Sequence, residues 1–175
     1  EWFRVGVEDE RGLTLTDRKW MEMATKRMRK VMYDRHTQFV RATKEADADF
    51  AAFGQAVISY EIDWKRPGFL YRCWHLRDVA WDDAPDGTVE EVHRKWTPTI
   101  RELKNMYRST QLHETVNSTT TRDEHRKLKC RVVTIPAEQY PDRKFLQPWV
   151  RCVIDAENSK VMEVTGQWDV GYVIP

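Results

Sequence analysis

The chain has 175 residues, of which 41% are hydrophobic and 33% charged, and its formal net charge is +1. This length is sufficient for a core without disulfide or metal cross-links, and the balanced charge by itself favours neither a nucleic-acid coat nor an acidic tail. No apolar run approaches the ~20 residues of a membrane span, so no membrane-spanning helix is predicted. Cys73, Cys130 and Cys152 lack CxxC spacing, so we interpret them as reduced core thiols.

Charge is distributed unevenly along the chain. Residues 15–44 contain nine lysines or arginines and three acids, a net charge of +6. Residues 45–92 contain eleven acids and four bases, a net charge of −7. Such a subunit can attract its own copies head to tail, although solvated faces of helices and sheets also give this pattern.

A short strand and a basic amphipathic helix are predicted first. Residues 2–7 resemble a strand, and a helix over 16–35 follows because apolar residues recur there at helical spacing. Thr16 is placed to cap this helix, with Leu15 and Trp20 at the two positions of a hydrophobic staple. Trp20 lies on the apolar stripe, so we expect it in the core, and the opposite face is basic.

A second helix and a pair of strands come next. The helix is predicted over 38–53, again from apolar residues at helical spacing. The period then changes from 3.6 to 2, which predicts a strand over 56–64 whose apolar face consists of even-numbered residues, Trp64 included. A turn at 66–68 leads to a returning strand over 69–74.

A hairpin rich in acids and tryptophans follows. Residues 71–96 read YRCWHLRDVAWDDAPDGTVEEVHRKW, two strand candidates around a turn at 84–87 where Pro fixes φ and Gly accepts positive φ. Several large aromatics with an acidic tip are typical of a subunit interface. The candidate interface residues are therefore Trp74, Trp81, Asp82, Asp83, Asp86 and Trp96, with Lys26, Arg29 and Lys30 from the basic helix.

The remaining chain predicts one short helix and three strands. Thr99 and Glu102 form a capping-box pattern at the start of the helix. The strands are predicted at 129–135, 149–155 and 161–165. Helices, then hairpins, then a helix and more strands indicate the α+β class. We expect a single α+β region over 1–175, with amino-terminal helices, antiparallel β-hairpins, a short helix and further antiparallel strands.

Motifs for catalysis are absent from the sequence. It has no Gly-rich phosphate loop, no GxSxG elbow and no HExxH pair, so no catalytic, cofactor-binding or metal-ligating residue is assigned. One alternative is a metal-dependent nuclease-like domain, with Asp63 and Lys65 as its D-x-K element. The acid that should precede them on a neighbouring strand could come only from Asp47 or Asp49 on a helix. Another is a DNA-binding regulator that contacts phosphates through Arg27, Arg29 and Lys30 of the basic helix 16–35.

Three segments of the chain carry a family resemblance. DFAAFGQAVISYEI (49–62) resembles a helix ending near F-G-(T/Q)-A before a strand. FLYRCWHLRDVAWDDAPDGTVEEVHRKWTPTIREL (69–103) is similar to a "D..G.VD.V.R…T..QL" run, with Arg94 as the basic residue of its outgoing strand. FLQPWVRCVIDAENSKVMEVTGQWDVGYVIP (145–175) looks like a "PW.S.Y.D…V…GGY" segment. In this order they resemble the head-to-tail connecting, or portal, proteins of short-tailed bacteriophages.

The resemblance covers about 1–107 and 128–175 and depends on the order and spacing of several motifs. Two segments depart from the family pattern. Residues 75–77 read His-Leu-Arg where the family has a proline region, and 167–171 replace its glycine-tyrosine element.

The resemblance implies a structural, non-catalytic subunit with no cofactor. Portal proteins form rings, typically of twelve subunits, around a channel through which DNA is packaged and ejected. The chain would be the amino-terminal wing fragment, with stem, clip and crown after Pro175. Implied partners are sister portal subunits and the capsid protein, with terminase and tail or adaptor proteins contacted outside these residues. DNA would pass through the ring without being gripped here, no membrane is involved, and the protein would lie at the virion's portal vertex after assembly in the bacterial cytoplasm.

Overall fold

The computed structural model describes residues 3–8, 11–62, 68–141 and 145–175. The chain divides into two compact units, Glu1–Cys73 and Trp74–Pro175. The first unit contains the two long helices, and the second contains a five-stranded antiparallel sheet. The α+β class predicted from the sequence is confirmed, whereas the expectation of a single region over 1–175 stays a prediction.

In its described residues the first unit contains two helices and two strands, and the second strand ends at Trp74, the first residue of the second unit. A single 3-10 turn at Arg35–Thr37 separates the helices, and the two strands are hydrogen-bonded neighbours. The elements are α1 (Leu15–Met32), α2 (Phe39–Phe53), β1 (Val57–Ile62) and β2 (Phe69–Trp74). The first helix is thus shorter than predicted, and residues 3–8 form no strand, so that prediction is wrong for the described part of 2–7.

The N-cap of α1 lies two residues earlier than predicted from the sequence. The Thr14 hydroxyl accepts the backbone N–H of Asp17, while the Asp17 carboxylate accepts the N–H of Thr14 at 2.9 Å. This is a capping box, and it satisfies two N–H groups that have no partner inside the helix. Thr16 is therefore not the cap, and Leu15 is the first helical residue rather than part of a staple.

A buried threonine and a left-handed residue fix the junction between α1 and α2, and a second left-handed residue ends α2. The Thr37 hydroxyl lies 2.7 Å from the Met32 carbonyl and 2.7 Å from the Asp34 carbonyl, so it closes the end of α1. Gln38 has a φ of 59° just before α2. At the other end Gly54 has a φ of 74°, where its N–H donates to Phe50. A glycine adopts this conformation without Cβ strain, which explains why α2 ends there.

Strand β1 buries the opposite face from the one expected. Val57 and Ser59 are buried, whereas Ile62 is 55% exposed. The even-numbered residues therefore do not form the core face of this strand. Trp64 and most of the turn predicted at 66–68 lie outside the described residues.

The second unit is built on a five-stranded antiparallel sheet with strand order β3-β4-β5-β6-β7. Neighbours in the sheet are also consecutive in the chain, so each connection joins adjacent strands. The strands are β3 (Val79–Asp83), β4 (Val89–Trp96), β5 (Cys130–Pro136), β6 (Trp149–Asp155) and β7 (Lys160–Gln167), followed by a short β8 (Tyr172–Val173). All three strands predicted after the helix are confirmed, the middle one to the residue.

A core cluster forms where one face of this sheet meets the helix α3 (Ile100–Met106). The predicted capping box starts α3, because the Thr99 hydroxyl accepts the Glu102 N–H and the Glu102 carboxylate accepts the Thr99 N–H. Trp96 and Tyr107 pack against the cluster. Its members are Ile100, Leu103, Leu112, Val116, Leu128, Cys130, Val132, Val153 and Met162. Burial, followed by the nearby Glu163 carboxylate, raises the pKa of Tyr107.

Two lysine side chains hold the long loop between α3 and β5 in place. This segment contains the short helix α4 (Glu114–Asn117). The Lys104 ammonium donates to the Thr119 carbonyl at 2.8 Å and to Glu124 at 3.0 Å. The Lys160 ammonium donates to the Leu112 carbonyl at 2.7 Å. Charged side-chain donors here bond the backbone carbonyls that regular secondary structure would otherwise satisfy.

Candidate interaction surfaces

The tip of the β3–β4 hairpin is held by hydrogen bonds within its turn. The N–H of Gly87 donates to the Ala84 carbonyl at 2.8 Å, and Gly87 has a φ of 80°, as the predicted turn requires. Asp86 accepts the Thr88 hydroxyl at 2.6 Å and the Thr88 N–H at 2.9 Å. These bonds lower the pKa of Asp86, the side-chain bond contributing most. Asp86 therefore stays anionic near neutral pH.

Like charges lie opposite each other on the outer face of the hairpin. Asp82 pairs directly with Glu91, and the register shifts between Asp82 and Asp83. The Glu91 carboxylate contacts the ring of His93, two residues along the same strand. Cross-strand acids repel, so this arrangement does not stabilise the hairpin. Asp82 and Asp83 are both exposed, which leaves a negatively charged surface at the tip.

The three candidate interface tryptophans are not brought together. Trp81 is half-buried on the inner face of the hairpin, opposite Val92. Trp96 packs against the core cluster. Trp74 stacks beneath the guanidinium of Arg94, whose central carbon lies 3.8 Å from the ring centroid. Of the tryptophans predicted for an interface, only Trp81 lies in the hairpin near its acidic tip.

Arg94 is a buried cation that sequence reasoning identified only through the family resemblance. It is 4% exposed, and its Nε donates to the Tyr172 hydroxyl at 3.2 Å. Stacking on Trp74 adds a cation–π interaction. The side chain therefore links the first residue of the second unit to a residue near its end. The sequence signal for its burial was that Arg94 lies on the same face of β4 as Val92 and Trp96.

The basic residues of α1 differ in how they are held. Arg29 is half-buried, donates to the Phe3 carbonyl and lies over the Phe3 ring, 5.2 Å from its centroid. Lys26 and Lys30 are exposed one turn apart. Of the three basic residues predicted for an interface, Arg29 thus makes its contacts within its own unit, whereas the charges of Lys26 and Lys30 are exposed to solvent. In the cluster expected for DNA binding, Arg27 and Lys30 are likewise exposed, whereas Arg29 is half-buried.

Large apolar side chains on α1 are exposed, contrary to the expectation for Trp20. Trp20 is 60% exposed, and Thr25 is the residue of this helix that is buried. The Thr25 hydroxyl accepts the Val5 N–H at 3.0 Å and donates to the Met21 carbonyl at 2.8 Å. The prediction that Trp20 belongs to the core is wrong, because the helix packs through the side that carries Thr25.

The described residues offer little for catalysis. They contain no group of three His, Cys, Asp or Glu side chains suited to hold a metal ion, and the Asp63 and Lys65 pair lies outside them. Asp155 is fully buried, but its oxygens accept hydrogen bonds from Glu157 and Asn158 in the β6–β7 turn. Within the same part of the chain, no helix is both long enough and apolar enough to span a bilayer.

The three cysteines are free, and two are buried as predicted for core thiols. Burial raises the pKa of the Cys130 thiol to about 12, with a further contribution from Asp155. Burial also raises the pKa of Cys152. Cys73 is half-buried, and its thiol lies 3.9 Å from the Asp49 carboxylate. Protonated, buried thiols are poor nucleophiles, so Cys130 and Cys152 are structural residues.

A charged hairpin tip and an exposed helix face with apolar and basic residues are surfaces suited to contacts with other proteins. The family model for the bacteriophage head to tail connecting protein matches residues 1–173, and the chain belongs to that family. This is a family of structural components of the phage particle that are generally non-catalytic. The chain accordingly has a connector role, with components of head and tail as its partners. No curated protein matches the chain significantly.

Proposed function

We propose that this chain is the wing region of a portal subunit of a short-tailed phage or prophage. In this proposal sister subunits form a ring, typically of twelve, through which DNA is packaged and ejected at one capsid vertex. The observation that carries the proposal is the family match over 1–173, almost the entire chain. The ordered motifs around Gly54, the Asp86-Gly87 turn and Trp149 support it, since each lies at an element boundary of the fold.

The proposed role is mechanical, so the chain acts through contact surfaces and not through chemistry. The exposed candidate interface residues Asp82, Asp83, Asp86, Lys26 and Lys30 support this role. Exposed charges guide encounter and orientation more than they hold a complex together. In this proposal terminase and tail or adaptor proteins contact other regions of the portal, and the DNA passes through the ring without being gripped by the wing.

The first test is assembly of the complete gene product. Electron microscopy and mass photometry should show rings with a central channel, and a phage in which the gene is inactivated should produce heads that contain no DNA. A complete product that stays monomeric, or DNA-filled heads without it, would refute the proposal.

The second test addresses the two other classes of function. Plasmid DNA incubated with the protein and Mg²⁺ or Mn²⁺ should remain intact. Cleavage that is lost in Asp63→Asn would favour the nuclease. Duplex binding that weakens steeply with salt and is lost on reversing Arg27 and Lys30 would favour the DNA-binding regulator.

A further inference from the structure

One side of α1 combines exposed cations with exposed apolar residues. We call Trp20, Met23, Lys26, Arg27 and Lys30 the outer face of α1. Spacings of three and four residues place these side chains next to one another on the helix surface. All five are exposed, Trp20 to 60% and Met23 to 43%. Thr25, by contrast, is buried on the side through which the helix packs.

The charges of the outer face have no partner among the residues that the structure describes. No described carboxylate forms an ion pair with Lys26, Arg27 or Lys30. Three neighbouring cations on one helix face repel one another, so an anionic surface that covers them is favoured. The outer face is therefore complementary to a partner surface that is acidic and also offers apolar area to Trp20.

The hairpin tip of the same chain has this chemistry. Asp82, Asp83 and Asp86 are exposed, and no lysine, arginine or histidine in the described ranges pairs with them. Pro85 is exposed between them and offers an apolar ring at the tip. Three exposed anions beside a proline thus complement three exposed cations on a helix face that also carries a tryptophan.

We propose that the outer face of α1 receives the β3–β4 hairpin tip of a second copy of the chain. This inference rests on the proposed function and names the two surfaces that meet. Every copy carries both surfaces, so the contact is head to tail, and such contacts close into a ring where the rotation allows it. Tryptophan and arginine, both present on the outer face, are enriched in interface hot spots. Nucleic acid, which is also anionic, is distinguished from a second copy by the experiment below.

The test uses two charge-reversed variants of the complete gene product. Variant A carries Lys26→Glu and Lys30→Glu, and variant B carries Asp82→Lys and Asp83→Lys. The four side chains are exposed, and thermal melting confirms that each variant folds. We expect each variant alone to associate about tenfold more weakly than wild type at low salt, measured by sedimentation velocity, since two attractive pairs become repulsive.

The decisive measurement is an equimolar mixture of A and B. The native hairpin of A meets the native α1 of B, and the reversed hairpin of B meets the reversed α1 of A. Both contacts in the mixture are therefore attractive, and association should return to near the wild-type level. A matched control, Arg108→Glu with Arg122→Glu, changes two exposed loop charges by the same amount and should leave assembly unchanged.

The possible results separate this inference from the proposed function. Wild-type rings that tolerate both A and B, or a mixture that stays dissociated, would overturn the pairing and leave the portal proposal standing. A wild-type product that forms no ring would refute the proposed function, and a loss of duplex binding in A without loss of assembly would assign the outer face to DNA. Trp20→Ala should also weaken association without lowering the melting temperature.

Discussion

Residues 1–73 and residues 74–175 differ in what they do with large apolar side chains. In the second unit Leu103 is fully buried within a cluster that also holds Val132 and Val153. In the first unit Trp20 is 60% exposed, and the residues buried in α2 are two alanines. Fully burying a leucine contributes about 1.5–3 kcal/mol, which an exposed tryptophan largely forgoes. The second unit therefore owes its stability to its core, whereas the first keeps apolar area available for contacts.

The two units also differ in how polar groups are used. In the second, charged side chains close loops: Lys104 and Lys160 donate to backbone carbonyls, and Asp155 accepts backbone N–H groups. In the first, the cations Lys26 and Lys30 are exposed to solvent. Charges that satisfy buried backbone groups stabilise a fold, while solvated charges determine what the surface attracts.

The largest effect should come from the core of the second unit. Leu103→Ala is expected to lower the free energy of unfolding by about 2–5 kcal/mol, because it leaves a cavity among packed side chains. The matched change in the first unit, Trp20→Ala, should alter it by less than about 0.5 kcal/mol. Urea denaturation followed by circular dichroism measures both. Equal losses would contradict the contrast between the units.

A somewhat smaller loss is expected at the β6–β7 turn. Asp155 accepts the N–H groups of Glu157 at 3.0 Å and Asn158 at 3.1 Å, as well as the Asn158 side-chain amide. Asp155→Ala should therefore cost about 2–3 kcal/mol, since it removes hydrogen bonds to a charged acceptor from a buried site. Asp82→Ala, at an exposed acid, is the control and should be nearly neutral in the same denaturation experiment. A neutral Asp155→Ala would show that the turn holds without these bonds.

The helix cap of the first unit should give an effect of about 1 kcal/mol. Thr14→Ala removes the hydroxyl that accepts the Asp17 N–H, whereas Thr16→Ala removes no capping bond and should be close to neutral. The reverse result would show that Thr16, the residue predicted from the sequence, is the cap.

The same cap should make this difference depend on pH. Hydrogen bonds from Thr14, the side-chain bond first, lower the pKa of Asp17. A carboxylate with a lowered pKa in the folded state stabilises it above the unfolded-state pKa and loses that contribution as pH falls through the folded value. The gap between wild type and Thr14→Ala should therefore be full near pH 7 and shrink below about pH 4. A gap that widens in acid would contradict the sign.

The last prediction compares the alkylation rates of the three thiols in the folded protein. Alkylation requires the thiolate, and burial raises the pKa of Cys130 to about 12 and also raises that of Cys152. In native protein at pH 8 one thiol per chain, the half-buried Cys73, should react first, and Cys73→Ser should abolish this phase. Mass spectrometry of the labelled protein identifies the site. Rapid labelling of Cys130 would show that the core of the second unit opens readily.

Local sequence determined much of this fold. The Thr99 and Glu102 capping box, the turn at Gly87 and the stop at Gly54 are each fixed by the conformational needs of a few adjacent residues. Strand β6 was predicted to the residue because apolar residues and turn signals bound it closely. Thr14 and Asp17 also carried the capping-box spacing, so the true start of α1 was present in the sequence.

Tertiary structure alone decided which sides of these elements are covered. Helical spacing shows that α1 has an apolar stripe, but the neighbours that pack on a helix come from distant parts of the chain, and they bury Thr25 and leave Trp20 exposed. The same holds for β1, where alternation gives two faces and packing selects that of Val57 and Ser59. Arg94 could be buried only because Trp74 and Tyr172, far away in sequence, meet it in space. Periodicity is a local property, whereas burial depends on long-range contacts.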